Sequence, residues 1–176
     1  VGPVLDWFIR TFSRESLNEL SKKGVYDGSC HVRLQQDPME GSGVFSGLSL
    51  TDELSDVFTG LIESFTFPMK DMLMQFENLI GRRFEAMRIS AGGAKADNWV
   101  QLKANVMNIA MERVSNLQAS ALGAAINAAV GIGAYTDYDE AIRKMVQVEK
   151  VFEPEPEMVK RYQERNEEFR ALGAKG

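Results

Sequence analysis

Residues 90–99, Ser-Ala-Gly-Gly-Ala-Lys-Ala-Asp-Asn-Trp, form the run whose residue types and spacing most suggest ligand chemistry. A short strand runs into Gly92-Gly93, and a helix starts at about Asp97. Glycines let a phosphate or ribose approach the backbone, and a helix start supplies N–H donors and positive dipole. The run is neither G-x-G-x-x-G nor a Walker loop. By spacing alone, a nucleotide-binding loop and a plain tight turn both remain open.

The second object is the small-residue run 120–133, with Ala121, Gly123, Ala124, Ala125 and Ala128. A helix so bare can lie very close to a neighbour or to a ligand, and packing is the commoner cause. The lone histidine, His31, sits beside the lone cysteine, Cys30, in a polar loop and reads as a surface residue. Asp37 and Glu40 flank Pro38 in a turn and are expected in solvent, as are the acids of 153–157 and 164–168. One histidine cannot build a Ser/His/Asp set or a multi-His metal site, and nothing supplies an obvious nucleophile or general base. Residues 1–176 read as a binding half without the chemical half.

The elements that must position these residues follow from periodicity. Val4, Leu5, Phe8, Ile9 and Phe12, followed by Leu17 and Leu20, predict a helix over 3–23. Residues 24–50 read as loop with short strands, the clearest at 41–50 with Val44, Leu48 and Leu50 on one face. Thr51, Asp52 and Glu53 resemble a capped helix start. An apolar stripe then runs from Leu54 to Ile80 through Met69, Met72, Leu73 and Phe76 without losing phase at Pro68. It predicts one long helix, kinked at the proline, whose stripe is core. Strands are expected at 84–90 and 111–115. Helices are expected from about 97, at 117–132, at 137–148 and at 156–172, with an extended link over 149–157. Short strands alternating with helices indicate an α/β or α+β domain.

Composition excludes several classes. The 176 residues are 44% hydrophobic and 26% charged, enough to collapse into one soluble domain. A net charge of −5 argues against a nucleic-acid surface, and one cysteine excludes a disulfide framework and fits a reducing cytoplasm. Residues 114–136 carry no charge, but their Ala, Gly, Asn and Gln content favours a buried helix over a membrane span. The start lacks Met and opens inside a helical pattern, and so reads as a cut end rather than a signal peptide.

Four blocks, in order, give the chain a resemblance to the C-terminal domain of the FGGY carbohydrate kinases. Residues 41–67 are similar to a family signature through Gly43-x-Phe45-x-Gly47-Leu48, then Asp56-Val57 and Glu63. Residues 89–106 resemble the family's Gly-Gly-Ala-x-x-x-x-Trp-x-Gln-x-x-Ala-Asp run, 118–133 its Ala-rich helix, and 151–162 its closing F-x-P-x-P segment. Three departures stand out. The Glu-Arg-Thr-Pro block of xylulokinase-like members is absent before Asp37-Pro38, Gly60 stands where Ala or Ser is preferred, and Asn105 replaces an Asp. Asn108 sits where glycine is common, a change that the left-handed conformation tolerates.

The resemblance implies an α/β, actin-like (ribonuclease-H-like) ATPase domain, truncated at its N-terminus, as one half of a two-domain cytoplasmic kinase. It implies that Gly92, Gly93 and Ala94 meet the adenosine and inner phosphate of ATP, with Asp97 and Asn98 near the adenine. ATP would pass its γ-phosphoryl to a sugar hydroxyl with Mg²⁺, using catalytic and sugar-binding residues outside this chain. No nucleic acid or membrane is expected as a partner; a second copy of the chain is the further partner considered. The alternative readings are a non-catalytic nucleotide-binding or scaffold module on the same fold, and a plain α/β interaction domain.

Overall fold

The computed structural model describes residues 2–37 and 42–173, so the expected turn around Pro38 and Glu40 lies outside the described residues. The expected first helix is two. Helix α1 (Gly2–Phe12) buries Leu5 and Phe8, and α2 (Leu17–Lys23) buries Leu20. Ser16 makes the break: its hydroxyl accepts the Glu19 N–H while the Glu19 carboxylate accepts the Ser16 N–H at 2.8 Å. This reciprocal cap outweighs an apolar phase that runs on through it.

Strands β1 (Arg33–Asp37) and β2 (Ser42–Ser46) pair antiparallel, Arg33 opposite Ser46. The inward face carries Leu34 and Phe45, with the Phe8 and Phe45 rings 6.3 Å apart. Val44 is exposed, and so are Leu48 and Leu50 beyond the strand, which corrects the expected face. Strand side chains alternate, so an inward Phe45 turns Val44 out.

Helix α3 (Leu54–Ile80) runs unbroken past Pro68. Thr51 does not cap it: the Asp56 carboxylate accepts the Glu53 N–H at 2.8 Å, and the Thr51 and Ser49 hydroxyls meet in the preceding turn. Phe58, Leu61, Ile62 and Phe67 enter the main core with Phe8, Trp99 and Tyr162. Beyond them the stripe departs from expectation. Only Leu73 is buried, whereas Met72, Phe76, Leu79 and Ile80 face outward.

Strands β3 (Ala86–Ile89), β4 (Ala110–Val114) and β5 (Val148–Phe152) form a second sheet in the order β3-β4-β5, with β3 parallel and β5 antiparallel to β4. The link expected over 149–157 is therefore partly a strand. Helix α4 (Asp97–Met107) carries the parallel crossover and buries Trp99, Val100, Leu102 and Val106. Asn108 ends it with φ 55°, the left-handed conformation that asparagine accommodates. Helices α5 (Ala119–Gly131), α6 (Tyr138–Met145) and α7 (Pro156–Gly173) follow. No described helix is long and apolar enough to cross a membrane. Close packing does not explain the small residues of α5: it buries only Ile126, and a Cβ built at Gly123 meets open space.

Candidate functional site

Strand β3 ends in a tight turn. Ala91 has φ 65° and ψ −164°, a conformation that side-chain-bearing residues adopt at a cost of about 1–3 kcal/mol. Its N–H is held by the Leu117 carbonyl at 3.1 Å. Gly92–Ala94 then form one 3-10 turn, closed by Ala94 N–H on Ala91 O and by Lys95 N–H on Gly92 O. Two cations brace the turn. The Lys103 ammonium donates to Gly93 O at 3.2 Å, and Arg113 Nη1 to Ala94 O at 3.3 Å.

The exposed side of this turn faces a cavity of about 650 Å³ between α1, α2, α3 and α4. Leu5, Ile62, Phe65 and Trp99 give it an apolar wall, and Asp6, Lys95 and Lys103 are the charged residues among its lining. A Cβ built on Gly92 meets no atom within 4 Å, so any side chain there would project into space that a ligand could use. Ala94 is fully buried and supports the turn from behind.

Helix geometry divides the expected site residues. Ala96, Trp99 and Lys103, at spacings of three and four, look into the cavity. Asp97 does not. It lies over a separate hollow of about 640 Å³ with Gln101, Lys150 and Phe152, and accepts from Lys150 Nζ and Arg113 Nη1, each at 2.6 Å. Hydrogen bonds from Lys150 and then Arg113 hold its carboxyl below the usual range. Asn98 is engaged internally: its amide donates to Ser21 O at 2.6 Å and its carbonyl accepts the Trp99 N–H at 3.0 Å, tying α4 to α2. Gly92 and Gly93 thus share one pocket, Ala94 backs it, and Asp97 and Asn98 flank it as parts of ion-pair and packing networks.

Sequence reasoning missed Ala91, Lys103 and Arg113. None carries a motif, and Lys103 and Arg113 reach the turn from 10 and 19 residues away. Asn105, where the family pattern has Asp, is buried; its carbonyl accepts the Glu155 N–H at 2.9 Å and its amide donates to the Glu155 carboxylate at 3.4 Å. An aspartate there would set two carboxylates against each other. His31 is half-exposed, 2.8 Å from Asp52. The Cys30 thiol is buried and pushed up to about 11, which makes it unreactive at neutral pH.

The donor set suits an anion carrying a flat apolar group. Among the described residues no group of three or more His, Cys, Asp or Glu side chains could hold a metal ion. With Asp6 the single carboxylate among the described residues lining the cavity, the residues present do not assemble a magnesium site.

Residues 25–132 match the family model of the FGGY carbohydrate kinases, C-terminal domain, and the chain belongs to that family. It is 28% identical over 169 residues to a xylulose kinase of Staphylococcus epidermidis, covering 89% of this chain and 34% of that protein. A structure of xylulose kinase from Rhodospirillum rubrum superposes with a TM-score of 0.80 at 23% identity, over 99% of this chain and 38% of that one. Plasmodium falciparum glycerol kinase, solved with ADP, gives 0.77 at 17% identity, over 98% and 36%. These likenesses establish the α/β, actin-like fold. The chain spans about a third of the length of the relatives it matches.

Proposed function

We propose that this chain forms the nucleotide-side wall of an interdomain cleft in an ATP-dependent carbohydrate kinase, as one domain of a two-domain enzyme. The observation that carries the reading is the braced Ala91–Ala94 turn at the rim of a 650 Å³ cavity with one apolar wall and two ammonium groups. Adenosine suits the apolar wall beside Trp99 and Phe65. The phosphates suit the glycine side of the turn, with Asp97 and Asn98 steadying the start of α4 from behind. In this reading ATP supplies the phosphoryl group, magnesium comes with its phosphates, and the sugar hydroxyl and its base are held by the other domain.

The two-domain reading is further supported by unsatisfied surface. Among the described residues β3 is an edge of its sheet, and the second half of α3 exposes Met72, Phe76, Leu79 and Ile80. An open edge and an apolar face of this kind are normally covered. We assign the enzyme to the cytoplasm, where the one cysteine of residues 1–176 would stay reduced.

The test is phosphoryl transfer by the intact protein from ATP to a panel of ketoses, aldoses and polyols. Saturable, sugar-dependent ADP release is expected. Binding of ATP with no transfer to any member would identify a non-catalytic nucleotide-binding module instead.

A further inference from the structure

Lys103 stands on α4 beside the Gly92–Gly93 turn and lines the cavity. Its ammonium donates to Gly93 O at 3.2 Å and forms no ion pair among the described residues. Burial alone pulls its pKa down, with no carboxylate offsetting it. A shielded cation without a counter-charge is costly, and a leucine or methionine would complete the apolar wall at no such cost. Bracing Gly93 O, in a turn that Arg113 also holds through Ala94 O, does not by itself account for a lysine here.

The cavity does. We propose that Lys103 is the counter-charge for the anionic part of a nucleoside di- or triphosphate seated in the Gly92–Gly93 cavity, where its ammonium donates to a phosphate oxygen. This rests on the nucleotide reading above and adds a residue to it. Arg113 holds the turn independently through Ala94 O, so the ammonium can leave Gly93 O for the ligand without releasing the backbone. Gly93 keeps that path clear, since a Cβ built there would stand 3.2 Å from Lys103 Nζ. A lysine on a flexible four-carbon stem suits this exchange of partners, and its contact with a phosphate is charge-assisted.

The experiment is calorimetric titration of the intact protein, as wild type, Lys103→Met and Lys103→Arg, with ADP and with adenosine. Lys103→Met is expected to lose about tenfold or more in ADP affinity and less than about twofold for adenosine, and Lys103→Arg to regain most of the ADP affinity. Unchanged ADP binding, or equal losses for ADP and adenosine, would overturn the role of Lys103 while the nucleotide reading stands. Failure of the wild type to bind either ligand would overturn both.

Discussion

Arg165 on α7 donates to the Glu63 carboxylate on α3 at 2.8 Å, joining positions 102 residues apart in the interior of the molecule. Glu63 is 1% exposed and burial pushes its carboxyl pKa up. Its second oxygen, and Arg165 Nε, have no hydrogen-bond partner among the described residues. The pair fastens the last helix to the core with part of its polarity unsatisfied. Glu63 is the last acidic residue of the 41–67 signature block, and the fold gives that position a structural reason.

Removing Arg165 leaves Glu63 buried and unpaired, which typically costs about 3–5 kcal/mol, whereas Arg165 without Glu63 keeps Glu168 at 3.7 Å. Arg165→Met is expected to lower the unfolding free energy by that order, and Glu63→Leu by less. The double variant is expected closer to wild type, because both costs vanish together. Urea denaturation of the three variants measures this. Additive single-variant losses in the double variant would contradict it.

Gly60 is tied to β1. The Ser64 hydroxyl donates to Gly60 O at 2.7 Å and accepts the Leu34 N–H at 2.9 Å. A Cβ at Gly60 would run into the Val32 carbonyl, its carbon only 2.8 Å away. The family pattern prefers Ala or Ser here, yet in this chain Gly60→Ala is expected to destabilise by about 1–3 kcal/mol. For a domain of this size each kcal/mol lowers Tm by about 2–4 °C. A Tm at or above wild type would refute the clash.

Asp97 provides a pH signature. Its folded pKa lies below the ordinary 3.8, because Lys150 and Arg113 hydrogen-bond the ionised form. Its contribution is therefore present above 3.8 and is lost as pH falls through the lowered folded value. Asp97→Asn is expected to be less stable than wild type at neutral pH, with the gap closing only below 3.8. The gap should be small, since Asp97 is about half exposed. Thermal melts across acidic pH give the curve. A gap that closes already near pH 6 would show that another group is responsible.

Much of the scaffold could be read from the chain. The 54–80 stripe announced α3 because its phase survives Pro68, and the Gly92-Gly93 turn announced itself by lacking side chains. What escaped was set by distant partners. β5 exists because Lys150 and Val151 pair with Arg113 and Glu112 on β4, a non-local ladder that its own charged sequence does not signal. The exposed half of α3 reads as core because periodicity reports an apolar face and not whether anything covers it. Asp97 neighbours the glycines in sequence, but the helix start rotates it about 100° per residue away from their cavity. Lys103, two helical steps beyond Ala96, returns to that cavity, and only the three-dimensional turn makes its charge conspicuous.

The nucleotide assignment turns on the cavity faced by Gly92. Calorimetric titration of ADP into the intact protein, compared with its Gly92→Asp variant, tests it most directly. A Cβ there meets no atom within 4 Å, so the substitution adds a carboxylate to the cavity without straining the fold. Saturable binding by the wild type is expected, with a loss of more than about tenfold in the variant and unchanged thermal stability. Equal ADP affinity in both proteins would place the nucleotide elsewhere and contradict the assignment.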